Sequence, residues 1–312
     1  MLNMIAMPLI EVEKKATLTG HRDCIYALEK GERENHFFSA SGDGMVVLWN
    51  LDDPENGQLI AKVDNSVYAL KYLSENNRLL IGQNFAGVHL LDVATKKELR
   101  SAAITDSYIF QIVAQGPHFF VGTGDGTLCI LMQDDLTTVA KIKLSDQSLR
   151  SIAFSEDGLY IALGYSDNSI RILDAQTWEL RHQLEGHTNS VFTVVFSKDN
   201  RFLLSGSRDA HLRIWDVQND FAQLPPIVAH MYTINDIVYS PDGEYFATCS
   251  MDKSIKVWNA RTFRLMKVID KARHAGHGTS VNKLYWSRYH NQWLLSCSDD
   301  RSISAWEIDF KQ

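Results

Sequence analysis

Between Val191 and Val217 the chain passes through three short runs in which apolar residues alternate or cluster: Val191 to Phe196, Phe202 to Gly206 and Leu212 to Val217. Lys198-Asp199-Asn200 and Arg208-Asp209-Ala210 separate them. A period of two over runs this short predicts β-strands, and the polar breaks predict tight hairpin turns. A fourth run, Gln223 to Val228, carries Pro225 and Pro226. Proline cannot donate to a ladder, so this strand is expected at a sheet edge. The same order of runs recurs along the chain, each copy ending in a comparable dipeptide: Trp49-Asn50, Leu91-Asp92, Leu131-Met132, Leu173-Asp174, Trp215-Asp216, Trp258-Asn259 and Trp306-Glu307. The steps between them are 42, 40, 42, 42, 43 and 48 residues. First-to-second-strand turns repeat as SEDG at Ser155, SKDN at Ser197 and SPDG at Ser240, where an Asp-Gly pair supplies the positive φ of a short turn.

A period near forty with four strands per copy predicts propeller blades, and seven copies predict seven of them. With its endings similar to the Trp-Asp of Trp215-Asp216 and its Gly-His openings, as at Gly186-His187, the chain resembles the WD40-repeat family over essentially its whole length. The expected fold is all-β: a seven-bladed β-propeller of four-stranded antiparallel blades, one domain over residues 1–312. The blades are placed at 25–63, 67–104, 108–144, 149–184, 191–228, 234–269 and 281–309. The seventh copy ends after its third strand, whereas Val12 to Leu18 precedes Gly20-His21 just where other copies have an outer strand. The N-terminal strand at 12–18 is therefore expected to complete the last blade, leaving no inner sheet edge free. Lys271 to Gly278 is an insertion before blade seven.

Composition narrows the function classes. The 38 acids against 31 bases leave a net charge of −7, which disfavours a nucleic-acid partner, since such binding rests on basic clusters that neutralise phosphate. MLNMIAMPLI lacks a basic leader and a small-residue cleavage site, so no signal peptide is expected. No run approaches the length a membrane span requires. Cys24, Cys129, Cys249 and Cys297 fall in four different blades without paired spacing, which fits a reducing, cytoplasmic location. The sequence is silent on oligomeric state.

Four copies place His, Ser or Thr, Asp and Trp at matched positions: His21, Ser39, Asp43, Trp49; His187, Ser205, Asp209, Trp215; His230, Thr248, Asp252, Trp258; and His277, Ser296, Asp300, Trp306. Ser, His and Asp together invite a hydrolase reading. The donor inventory points elsewhere. Indole only donates, a hydroxyl and a neutral imidazole do both, and a carboxylate only accepts, so Trp to Ser to His to Asp is a closed chain of satisfied groups. Four copies are also too many for one active site, and the family resemblance implies the same blade-stapling tetrad. No catalytic residues are assigned. Blades two, three and four lack the His and are expected to rest on apolar packing alone, with Ile81, Phe85 and Leu91 in blade two, Val121 and Leu131 around Asp125 in blade three, and Leu163 and Leu173 around Asp167 in blade four. Phe85 is expected to pack against a neighbouring turn.

The resemblance implies a ligand surface on the face that carries the second-to-third-strand turns, here termed the top. One position of each first strand gives Tyr26, Tyr68, Phe110, Arg150, Phe192, Asn235 and Asn282; the position two residues earlier includes Cys24 and Tyr108, and the residues before the turn Asp include Arg208, Met251 and Asp299. Tyr26, Tyr68, Tyr108, Phe110, Arg150, Phe192, Arg208, Asn235, Met251 and Asn282 are the candidate partner-binding residues, since aromatics, Met and Arg concentrate binding energy. The partner expected is a protein or peptide, the arginines biasing it towards acidic groups. The alternatives are a propeller hydrolase or lactonase with a channel metal, and a small-ligand or carbohydrate sensor. No metal or other cofactor is expected: His274, His277 and His290 lack ligand spacing, and Gly122 to Gly126 lies in a hairpin with no helix to receive a phosphate.

Overall fold

The computed structural model describes residues 9–290 and 292–311. Seven antiparallel sheets follow one another around an axis, and all but the last run outward in chain order. In blade one the strands are Ile25–Lys30, His36–Ser41, Met45–Asn50 and Asp53–Lys62. Second strands are the most deeply buried, as in Arg78–Gln83 and His118–Thr123, because a blade neighbour covers each face. Their midpoints are small. A Cβ on Gly82 would approach Ile109 Cγ2 to 2.7 Å, and one on Gly206 would approach Ile234 Cγ2 to 2.6 Å. The equivalent positions of blades six and seven hold Cys249 and Cys297, both buried, and all four thiols of the chain are unpaired.

The last blade is a composite. Leu9–Thr19 pairs antiparallel with Ser302–Lys311, bringing Val12 opposite Ile308 and Leu18 opposite Ile303. The closing strand is thus longer than 12–18 at both ends, because the last strand runs on to Lys311 and continues to offer it partners. Ile10 and Leu18 are buried in it. In blade five the proline pair splits the outer strand into Ala222–Gln223 and Ile227–Val228, both paired to His211–Asp216. The insertion before blade seven is a single turn of helix, Lys271–His274, whose first amides are met by the Asp270 carboxylate through Arg273 N at 2.9 Å.

Candidate interaction site

Every first strand carries a β-bulge at the same place. The register breaks between Ile25 and Ala27, Val67 and Ala69, Ile109 and Gln111, Leu149 and Ser151, Val191 and Thr193, Ile234 and Asp236, and Val281 and Lys283. The unpaired extra residue is in turn Tyr26, Tyr68, Phe110, Arg150, Phe192, Asn235 and Asn282. A bulge re-aims its side chain out of the pleat, and here all seven turn to the axis. Together with Gln111 and Lys283 they line one cavity of about 220 Å³ at the top of the channel.

The wall is divided by chemistry. Blades one to three are aromatic: Tyr26 and Tyr68 meet edge-on at 4.5 Å between ring centres, Tyr68 and Tyr108 stack at 5.9 Å, and Tyr108 lies 5.6 Å from Phe110. Phe85 extends this surface, meeting Tyr108 edge-on at 4.6 Å as expected of a turn residue packed on its neighbour. It does so at a φ of 62°, a costly conformation for a bulky side chain, and is still 48% exposed. Blade four is cationic. Arg150 lies between two rings, its guanidinium carbon 4.5 Å from the centre of Phe110 and 4.4 Å from that of Phe192, and its Nε donates to Ser166 Oγ at 2.7 Å. Burial lowers its pKa, and the like charge of Arg208 lowers it further.

Blades six and seven are amide-lined, but these amides also brace the ring. Asn235 Nδ2 donates to Ser280 Oγ and Val281 O, at 3.0 and 2.8 Å, tying blade six to seven. Asn282 Nδ2 donates to Ile25 O at 3.0 Å and to Asp299 at 2.7 Å, tying seven to one. In three blades the residue after the bulge does similar work: Gln111, Ser151 and Asp236 accept the amides of Ile152, Val194 and Leu284 in the following blades. Asp236 also holds Lys283 Nζ at 2.9 Å. These polar channel residues, Gln111, Asp236 and Lys283, were missing from the sequence reading; their signal is their place one residue beyond the ring position. Met251 and Arg208 sit exposed in the turns outside the cavity. The Cys24 thiol donates to Asp299 O at 3.7 Å and is pushed up in pKa by burial, so it is not a poised nucleophile.

The tetrads hold the loops that lead into these strands. Trp Nε1 donates to the Ser or Thr hydroxyl in all four, at 2.8 Å for Trp49, 3.0 Å for Trp215 and Trp258, and 2.9 Å for Trp306. That hydroxyl lies 2.7 to 2.9 Å from His Nε2. His Nδ1 reaches the Asp at 2.9 Å in His187, 2.8 Å in His230, 2.9 Å in His277 and, more loosely, 3.3 Å in His21. Each Asp also accepts the amide one residue beyond its His, those of Arg22, Thr188, Met231 and Gly278. Burial opposes the charge on Asp209, but the hydrogen bonds from His187, Thr188 and His211 outweigh it and hold its pKa well below the usual range.

Blades three and four do not rest on apolar packing alone. In blade four Ser145 stands where others have His and donates to Asp167 at 2.7 Å, while Arg171, laid over the Tyr165 ring, donates to the same carboxylate at 2.8 Å. Burial raises the Asp167 pKa, but Arg171 and the serines overcome this and bring it down to about 2. In blade three Asp125 accepts from Thr123 Oγ1 at 2.6 Å and from Thr127 N at 3.1 Å. Blade two is apolar at its tetrad positions, yet buried Asn84 bridges Ser66 and the amide of Ile109. His277 and His290 lie on opposite faces, and among the described residues no three His, Cys, Asp or Glu side chains converge to hold a metal.

Comparison with known proteins places this architecture. The description "WD domain, G-beta repeat" matches residues 12–50, 137–174, 178–216, 223–259 and 270–307. The chain belongs to the WD40 family. The unmatched stretch covers blades two and three, which lack tetrads. A solved WD40 β-propeller domain of Doa1 superposes with a TM-score of 0.84 over 96% of this chain and 97% of that one, at 17% identity, a likeness of fold. Among curated proteins the chain is similar to a striatin homolog of Dictyostelium discoideum, 26% identical over 58% of this chain and 24% of that protein. It is also similar to the WD repeat-containing protein SL1-17 of Schistosoma mansoni, 24% identical over 52% of this chain and 54% of that one. The WD40 chain thus spans from a quarter to about half the length of these relatives.

Proposed function

We propose that this WD40 propeller is a non-enzymatic scaffold that binds a protein or peptide segment across the channel mouth on its top face. WD40 propellers generally bind proteins or peptides, and the observation that carries the choice of face is the continuous aromatic wall from Phe85 and Tyr108 through Phe110, Tyr68 and Tyr26, next to Arg150 and Phe192. Aromatic side chains supply large contact area at low entropic cost. A cavity of about 220 Å³ is below the roughly 300 Å³ at which small-molecule sites begin, which favours a ligand lying over the mouth rather than one enclosed in it. The tetrad hydroxyls and imidazoles are engaged within their own blades, which supports a scaffold over a hydrolase. The four unpaired thiols support a reducing, cytoplasmic setting.

The test is affinity capture of a partner from the native cell, followed by binding measurements on variants. Tyr68→Ala and Phe192→Ala should each weaken binding by roughly 1–4 kcal/mol, the range for truncated anchor residues. Lys198→Ala and Asn200→Ala, in a turn on the opposite face, should leave it unchanged. Should the opposite-face variants abolish binding while the aromatic ones bind normally, the site lies on the bottom of the ring.

A further inference from the structure

The Arg150 guanidinium has little left to offer, and what remains is specific. Its carbon lies close to the Phe110 and Phe192 rings, and its Nε donates to Ser166. Its two terminal nitrogens have no hydrogen-bond partner among the described residues, and Arg150 lines the cavity. Ser190 Oγ donates to Ser166 O at 3.3 Å and Ser190 O accepts the Arg208 amide at 2.9 Å, which brings Arg208 next to this site, and among the described residues neither arginine has an acidic group within 4.0 Å. The acids that follow Ser166 and Arg208 in the chain are occupied: Asp167 by Arg171 and Ser145, Asp209 by His187 and the Thr188 amide. Two neighbouring cations without a counter-ion, one of them largely desolvated, are a cost to the free protein that an arriving anion relieves.

The shape of the slot selects the anion. Two parallel N–H donors in one plane match the two coplanar oxygens of a carboxylate. A tetrahedral phosphoryl group can offer that plane two oxygens at most and must place the others close to the Phe110 and Phe192 rings, whose π-faces are negative. Beyond Arg208 the surface becomes apolar. The Ala210 carbonyl, two residues on from Arg208, accepts the amides of Ala229 and His230, so the loop that follows begins beside the arginine. That loop and the adjoining turn present Met231, Tyr232 and Met251, which are 81%, 58% and 55% exposed. Methionine surfaces of this kind adapt to varied apolar side chains.

We infer that the free edge of Arg150, with Arg208 beside it, is a carboxylate subsite for a bound peptide, whose adjacent apolar residues lie over Met231, Tyr232 and Met251 of blade six. This deepens, and rests on, the top-face reading above. The carboxylate comes from an aspartate or glutamate side chain or from a C-terminus.

A randomised library of short peptides with free C-termini, selected against the intact protein, tests it. Selected sequences should share one acidic position, or a terminal requirement, with apolar residues a few positions away. Arg150→Gln should weaken a selected peptide at least about tenfold and flatten its salt dependence, and Arg208→Gln, at an exposed site that tolerates the change, should weaken it in the same sense. Replacing the acidic residue by its amide identifies a side-chain source, and amidating the C-terminus identifies a terminal one. Loss in either arm supports the subsite; no loss in both overturns it. A phosphoserine peptide that binds more tightly than its carboxylate counterpart also overturns it. Peptides that need Tyr68 but no acid would leave the top-face reading standing and remove the carboxylate subsite, whereas selection of no peptide at all removes both.

Discussion

Asp209 joins three parts of its blade: the imidazole of His187, the amide of Thr188 at the mouth of the first strand, and the amide of His211 beyond its own turn. Asp209→Ala leaves these donors without their acceptor, the His187 imidazole in a buried setting, and should cost about 1–3 kcal/mol, read from urea unfolding. The same contacts set a pH dependence. Burial lowers the pKa values of His187 and His230 against the opposing pull of their Asp partners. Since the unfolded chain protonates first, their contribution is complete above roughly pH 6.5 and is lost as the pH falls towards the depressed folded values. The carboxylates of Asp209 and Asp252, held below their ordinary range, add a second loss beneath about pH 4. The stability difference between the native protein and His187→Gln should therefore narrow on acidification below about pH 6.5; a difference that widens would contradict the neutral, donor-engaged imidazole.

At the scale of strands and turns, hydrophobic alternation and the recurring dipeptides made the four strands of a blade legible, because both arise from a two-residue pleat repeated at fixed spacing. The seven-position ring was also legible as a register, since its residues follow Ile25, Val67 and their equivalents. Its cause was not. A bulge adds a residue without altering the alternation on either side, so only the pairing of Val191 with Ser207 and of Thr193 with Gly206 reveals that Phe192 is the odd one out. Blade four was misjudged for a different reason. Half of its polar clasp, Arg171, lies four residues past the turn Asp and outside the four tetrad positions, and the other half, Ser145, is a serine at the position where His is sought. The closing strand gives the clearest test at this scale. Removal of residues 1 to 18 strips the ladder from Lys311 to Ile303 and the burial of Ile10 and Leu18, and should give an insoluble or much less stable product. A soluble truncation with an unchanged melting temperature would show that the ring is held shut in some other way.

On the scale of the whole ring, that closing ladder makes the first and last described strands share one sheet, and Gln111, Ser151 and Asp236 in the channel each hold an amide of the next blade. An open array of repeats loses stability locally, because each unit answers only to its neighbours. In a closed ring every blade has two neighbours, so a defect in the joint removes an interface from blades six, seven and one together. Ile10→Ala places such a defect in the closing strand, where Ile10 packs with Ile308, Trp306 and Ile269. It should cost about 2–4 kcal/mol, within the range for truncating a buried Ile. The form of the transition matters more than its size. Far-UV circular dichroism, which reports all blades, and the fluorescence of tryptophans spread from Trp49 to Trp306 should shift to the same lower midpoint and remain superimposable. A variant in which the tryptophan signal of blade seven is lost at low denaturant, while most sheet signal persists to the native midpoint, would mean that the ring behaves as a row of blades whose closure contributes only to the last one.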